Sequence, residues 1–139
     1  MKSQIILCSG GARSGKSEFA ERLALATEGR KAYVATGQAF DDEMVDRIKK
    51  HQERRGNIWT NFEIPLYLAE EWQHISSVAD VILIDCLTMF TTNHMMAHGS
   101  IQGQQDANRL EDTVLSELEA LLNLIKVSDD KIVIFVTNE

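Results

Sequence analysis

The stretch Ser9-Gly10-Gly11-Ala12-Arg13-Ser14-Gly15-Lys16-Ser17 decides how the rest of the chain is read. Before it, Gln4 to Cys8 is a short apolar run of strand type. After it, from Lys16 to Ala26, Phe19, Leu23 and Leu25 recur at helical spacing. A strand, a glycine-rich loop and a helix start in that order make a cradle for phosphate. Glycines let several backbone N–H groups turn inward, and the helix start adds its dipole. Lys16 reaches the outer phosphates and the Ser17 hydroxyl can ligate Mg2+. Gly10, Gly11, Ala12, Arg13, Ser14, Gly15, Lys16 and Ser17 are therefore the first candidate nucleotide contacts. A glycine-rich turn with a capping serine is the competing reading, and the correct flanks argue against it.

Outward from the loop, Gly29 closes the first helix and Lys31 to Thr36 is a second apolar strand, a βαβ unit that implies a parallel sheet. Asp41-Asp42-Glu43 starts a helix running to about Arg54. Pro65 opens another, with Leu68, Trp72 and Ile75 on one face. Val81 to Ile84 is an apolar strand ending in Asp85, and Leu87 to His98 a helix. The segment Gly99 to Gln105 is polar and expected to be mobile. An amphipathic helix from Leu110 to Ile125 leads to the strand Ile132 to Val136. A further short strand is admitted around Asn57 to Glu63. The expected fold is a mostly parallel α/β sheet in a three-layer sandwich of the P-loop NTPase type, one domain spanning 1–139. Strand order is left open. The chain ends at Thr137-Asn138-Glu139, where a strand-to-helix connection would begin, so the fold reads as interrupted.

Composition narrows the function. A chain of 139 residues with 44% hydrophobic and 25% charged residues is an ordinary globular domain. Its net charge of −7 argues against nucleic-acid binding by general electrostatics, so an anionic ligand must be caught locally. Two cysteines, Cys8 and Cys86, cannot build a disulfide framework and read as buried thiols of a reducing compartment. The first apolar run is too short for a signal peptide or a membrane span. The expectation is a cytoplasmic protein without nucleic-acid or membrane partners.

Three further sets of residues carry possible chemistry. Asp85 stands at the carboxyl end of its strand, where ligands bind in open α/β sheets, and can hold a metal or its water shell; the alternative is a helix cap. Met44, Ile48 and His51 share one side of their helix, so His51 is expected to face inward, as a core histidine or as a reactive group. Arg47, Lys49, Lys50, Arg54 and Arg55 surround it, a basic face that would attract a triphosphate or simply be solvated. His94 and His98 have metal-binding spacing without a third ligand and read as structural. Met89, Met95 and Met96 read as core or subunit contact.

The sequence resembles the adenosylcobinamide kinase/adenosylcobinamide-phosphate guanylyltransferase family of cobalamin biosynthesis. The resemblance rests on Gly10 to Ser17, Ala35-Thr36, Asp41-Asp42-Glu43-Met44, Arg47-Ile48 with His51, Trp59, Asp85-Cys86-Leu87-Thr88 and Thr137-Asn138-Glu139, in family order. It implies that His51 is the nucleophile that takes GMP from GTP as a guanylyl-histidine, with Lys16 and Mg2+ stabilising the transferring charge. The product after transfer to adenosylcobinamide phosphate is adenosylcobinamide-GDP. A kinase reaction would first pass the γ-phosphate of ATP or GTP to adenosylcobinamide at the same loop. The resemblance also puts Thr36, Gly37 and Glu63 near the nucleotide, Glu63 against guanine or ribose. It implies a homotrimer, and a further helix and strand after Glu139 whose lack would leave apolar sheet surface uncovered. A small-metabolite kinase with no use for His51, and a nucleotide-binding remnant without turnover, are the competing readings.

Overall fold

In the computed structural model, which describes residues 2–11, 14–38 and 41–138, strands and helices alternate except at α4 and α5, which follow one another directly. The order is β1 (Gln4–Gly10), α1 (Lys16–Ala26), β2 (Lys31–Ala35), α2 (Asp42–Arg55), β3 (Trp59–Glu63), α3 (Leu68–Val78), β4 (Val81–Asp85), α4 (Leu87–His98), α5 (Gln104–Val127) and β5 (Ile132–Asn138). All five strands are parallel, in the order β1-β5-β4-β2-β3. The expected α/β class and parallel sheet are found, and the strand admitted near 57–63 is β3. No helix among the described residues is long and apolar enough to cross a membrane.

Period-two alternation sorts the side chains into two layers. In register, Ala32, Ile82, Val133 and Ile5 share one face with Val34, Ile84, Phe135 and Leu7. Leu68, Trp72 and Ile75 of α3 and Leu121 and Ile125 of α5 cover that face, together with Phe90 of α4. On the other face Cys8, Val81, Leu83, Ile134 and Val136 pack against α1. The contact is made by Ala20 and Ala24, both fully buried, while Phe19 and Leu25 are exposed. Of the three large apolar residues read at helical spacing, Leu23 packs against this core and Phe19 and Leu25 do not; the two alanines, one helical turn apart, let the helix lie close to the sheet. β4, flanked on both sides and covered on both faces, is a continuous apolar run, as central parallel strands are.

The helix layer over the first face stops at β5. β1 is an edge strand, and Ile5 and Leu7 stand 43% and 61% exposed.

Two loop readings change. Pro65 does not open α3, which starts at Leu68. The helix lacks a side-chain cap of its own at Tyr67, and Glu117 of α5 accepts instead from the Ala69 N–H at 2.9 Å. The segment expected to be mobile is fastened: Asp106, in the first turn of α5, accepts from the Gln102 N–H at 2.8 Å and bonds the His98 ring at 2.8 Å. The Gln102 amide and, after it, the His98 ring hold the Asp106 carboxyl below its ordinary pKa.

Leu121 is 1% exposed at the centre of the first core and Leu124 is 37% exposed on the same helix. Leu121→Ala is expected to cost about 2–5 kcal/mol, through lost burial and a residual cavity. Leu124→Ala should cost clearly less, about 1 kcal/mol, because the side chain is only partly removed from water. Denaturant unfolding of the two variants measures the difference.

Candidate nucleotide site

The glycine loop sits at the carboxyl edge of the sheet. Gly15 precedes α1 with φ 81°, a left-handed conformation that an L side chain strains to adopt. At Gly10 a Cβ would stand 2.7 Å from Ser14 Oγ, so a side chain there would make the Ser14 hydroxyl turn away. Lys16 Nζ donates to the Gly11 carbonyl at 3.1 Å, lying back over the loop. Ala12 and Arg13 lie outside the described residues.

Beside the loop, a cleft of about 300 Å³ opens between α1, α2 and the carboxyl ends of β2, β3 and β4. Ser17, Tyr33, His51, Arg55, Asn61 and Asp85 are among its walls. Their convergence follows from register: Tyr33 pairs with Leu83 and Asn61, and Ala35 with Asp85, so all project toward the face that α1 covers. Tyr33 Oη donates to Asp85 Oδ2 at 2.6 Å. The Arg55 guanidinium stacks 3.6 Å over the Tyr33 ring and Trp59 meets that ring edge-on at 6.1 Å. Burial first, and the Asp85 carboxylate second, push the Tyr33 phenol well above its ordinary pKa.

Asp85 does not cap α4. Cys86 holds the cap position, its sulfur accepting from the Met89 N–H at 3.4 Å, which leaves the Asp85 carboxylate to the cleft. Ser17 and Asp85 thus present a hydroxyl and a carboxylate to one cavity. That oxygen-only pair suits Mg2+, which takes one or two protein oxygens and fills its shell with water and phosphate.

His51 shares its side of α2 with Ile48, and both line the cleft. It is exposed, however, and α2 buries none of its residues. The inward side of the helix is a cleft wall, and the core-histidine reading is not what is observed. The basic face resolves unevenly. Arg47 pairs with Glu43 at 3.5 Å and Lys50 with Asp46 at 3.0 Å, both exposed and local to the helix. Lys49 faces a separate surface groove with Gly56 and Trp59. Of the five basic residues, Arg54 and Arg55 line the cleft.

Thr36 is fully buried, and its hydroxyl is committed: it donates to the Cys86 carbonyl at 2.6 Å and accepts from the Cys86 N–H at 2.9 Å. It serves as a latch between the ends of β2 and β4 rather than as a cleft wall. Gly37 follows it, half-buried. Glu63 is exposed on a neighbouring groove with Pro65, Tyr67 and Glu70, and the structure does not bring it to the walls around His51. His94 and His98 do not converge: His94 packs edge-on against Phe90 and bonds the Leu66 carbonyl, while His98 bonds Asp106. Met89 packs against the second core, and Met95 and Met96 are exposed.

Sequence reading missed Tyr33, Asn61, Glu21 and Asn93. Alternation along β2 hints at Tyr33, but its partner follows only from strand order. Asn93, 2% exposed, donates to the Thr36 carbonyl at 2.6 Å and the Pro65 carbonyl at 3.0 Å, tying α4 to both loops beside the cleft. Thr88, directly after the Asp85-Cys86-Leu87 segment, contacts the Thr137 hydroxyl at 3.3 Å and accepts from the Asn138 N–H at 2.8 Å. Two segments far apart in sequence are thereby joined at the tips of β4 and β5.

A parallel sheet with a phosphate loop after its first strand and a carboxylate at the tip of a central one defines a nucleotide-binding enzyme of the P-loop class. Residues 6–139 match the family model for cobinamide kinase / cobinamide phosphate guanyltransferase, and the chain belongs to that family. It is 39% identical over 133 residues to the bifunctional adenosylcobalamin biosynthesis protein CobP of Pseudomonas aeruginosa, covering 96% of this chain and 70% of that protein. It is 33% and 35% identical over 144 residues to the bifunctional adenosylcobalamin biosynthesis proteins CobU of Escherichia coli and Salmonella typhimurium, covering 97% of this chain and 75% of each.

Two outcomes test this geometry. Thr36→Val strands the buried Cys86 N–H and is expected to cost about 1–3 kcal/mol, with Thr36→Ser recovering most of it in denaturant unfolding. For Tyr33, the folded state favours the protonated phenol. Its contribution is therefore present below the unfolded pKa of about 10 and lost as pH rises beyond it. Stability of the parent should fall more steeply than that of Tyr33→Phe between pH 8 and about pH 11.

Proposed function

We propose that this chain catalyses both transfers named for its family, phosphorylating adenosylcobinamide and then guanylylating adenosylcobinamide phosphate, with His51 as the covalent carrier of GMP. The observation that carries the proposal is the shared cleft: His51 on α2 stands across from Ser17 at the phosphate-loop helix and Asp85 at the tip of β4.

In the first reaction the loop amides from Gly10 to Gly15 and the start of α1 hold the phosphates of ATP or GTP. The γ-phosphoryl group passes to the hydroxyl of the aminopropanol arm of the corrinoid. Such a transfer is accelerated mainly by positioning and by stabilising charge on the moving group. In the second, an unprotonated ring nitrogen of His51 attacks the α-phosphorus of GTP. A P–N bond forms, the bond to the bridging oxygen breaks and pyrophosphate leaves. A phosphate oxygen of adenosylcobinamide phosphate then attacks the same phosphorus, the P–N bond breaks, and His51 is released with adenosylcobinamide-GDP. Lys16, freed from the Gly11 carbonyl, is placed to offset charge on the phosphates. Ser17 and Asp85 would hold Mg2+, which would neutralise phosphate oxygens. The exposure of His51 suits a group that must meet two different substrates in turn. The assembly proposed is a homotrimer, as the family resemblance implies.

GTP labelled at the α-phosphate, incubated with Mg2+ and the protein, should leave one GMP adduct in the intact mass. The adduct should be stable to base, lost in acid, and absent from His51→Ala. GTP binding without an adduct, or an adduct that survives His51→Ala, would overturn the assignment of His51. ATP-dependent phosphorylation of adenosylcobinamide by the same unlabelled protein would then identify a kinase alone.

A further inference from the structure

The helix that carries His51 contributes no buried residue to either core, so apolar packing does not fix its position. Its amino end is closed by its own Asp41, whose carboxylate accepts from the Met44 N–H at 2.8 Å. Its carboxyl end is different. Arg55 lies four residues after His51, on the same side of the helix, and its side chain is 6% exposed. One guanidinium nitrogen stands 3.6 Å from Glu21 Oε1 and the other donates to Asn61 Oδ1 at 3.0 Å, while the plane lies over Tyr33. Arg54 reaches the second oxygen of the same carboxylate at 3.2 Å from a more exposed position.

Glu21 is itself placed by the phosphate loop. It follows Ser17 by four residues on α1, so the two share a stripe facing the cleft. The carboxylate that receives both arginines is thus rigidly linked to the helix start that would hold phosphate. Lys50 and Arg47, about one and two turns back on α2, pair with acidic residues of their own helix.

We propose that Glu21 and Arg55 form a clamp that sets the distance and angle of the His51 imidazole relative to the phosphate loop, making both of them positioning residues for guanylyl transfer. The inference rests on the reading of His51 as nucleophile. Attack on phosphorus requires the ring nitrogen in line with the leaving oxygen, and displacement by about 1 Å can cost a hundredfold in rate. Phosphoryl transfer to the corrinoid hydroxyl does not pass through His51. The clamp therefore separates the two reactions: loosening it harms the one that needs α2 in register with α1.

Glu21→Gln keeps the shape of the side chain and removes its charge; Arg55→Lys keeps a charge and loses the planar fork and the stack. In single turnover, each is expected to slow formation of the guanylyl adduct about tenfold or more beyond any slowing of ATP-dependent phosphorylation of adenosylcobinamide. The double variant should lose less than the sum of the two single losses, since both act on the shared Glu21–Arg55 pair. Hydrogen exchange on the nucleotide-free protein supplies a readout independent of turnover. Amides of residues 42–55 should exchange faster by about tenfold in Glu21→Gln, with those of β4 and β5 unchanged. Parallel loss of both reactions, an unaltered guanylylation rate, or unaltered exchange in α2 would each overturn the clamp. Should the parent itself take no label, His51 is not the carrier, and the exchange result alone decides whether the clamp holds α2.

Discussion

The in-register parallel pairing of β2 with β4 is the constraint on which the site depends. It brings Thr36 against Cys86, Ala35 beside Asp85, and the Tyr33 phenol within 2.6 Å of the Asp85 carboxylate. Because side chains alternate with period two, a slip of one residue in either strand would send Tyr33 and Asp85 to opposite faces. The Thr36 hydroxyl, satisfying both the N–H and the C=O of Cys86, resists that slip at the point where the strands end. Asn93 secures the same corner from α4 by holding the Thr36 and Pro65 carbonyls. A buried polar group is costly unless paired, so these bonds specify one arrangement of the corner.

Around that fixed floor the molecule divides into parts held by different forces. The sheet and helices α1, α3 and α5 are held by apolar burial on two faces, with the small residues of α1 setting a close approach and the large residues of α3 and α5 filling the opposite layer. Helix α2 belongs to neither layer. It is attached by charge, hydrogen bonds and one cation–π stack, each directional and individually modest, and so its orientation is set by few contacts. The same helix carries the imidazole that meets both nucleotide and corrinoid in the proposed reaction.

Much of this was legible in the linear chain because it depends on local rules. The phosphate loop is recognisable since its geometry favours glycine at Gly15, where φ is positive, with a helix start directly behind it. The apolar runs ending at Cys8, Thr36 and Asp85, and the long amphipathic pattern from Leu110 to Ile125, mark strands and a helix through their periods of 2 and 3.6. The family resemblance drew on the same motifs, and family membership agrees with it. Local reading erred where two patterns competed. Phe19, Leu23 and Leu25 looked like the apolar stripe of α1, yet Phe19 and Leu25 are exposed and Ala20 and Ala24 are buried beside Leu23, because the distance of helix from sheet, unknown from spacing, selects small residues.

The sequence by itself determined the phosphate loop, the α/β alternation and the location of Asp85 and His51 on a strand end and a helix, because each follows from neighbours within a few residues. Tertiary structure alone decided strand order, and with it everything that depends on long-range register. It showed that Thr36 is a latch and Glu63 lies on a separate groove. It also showed that two of five basic side chains meet the cleft, and that Glu21 on one helix receives the arginines of another. The physical reason is that hydrogen bonds and ion pairs act over a few ångströms in space, and residues 33 and 85, or 21 and 55, become neighbours only when the whole sheet has closed.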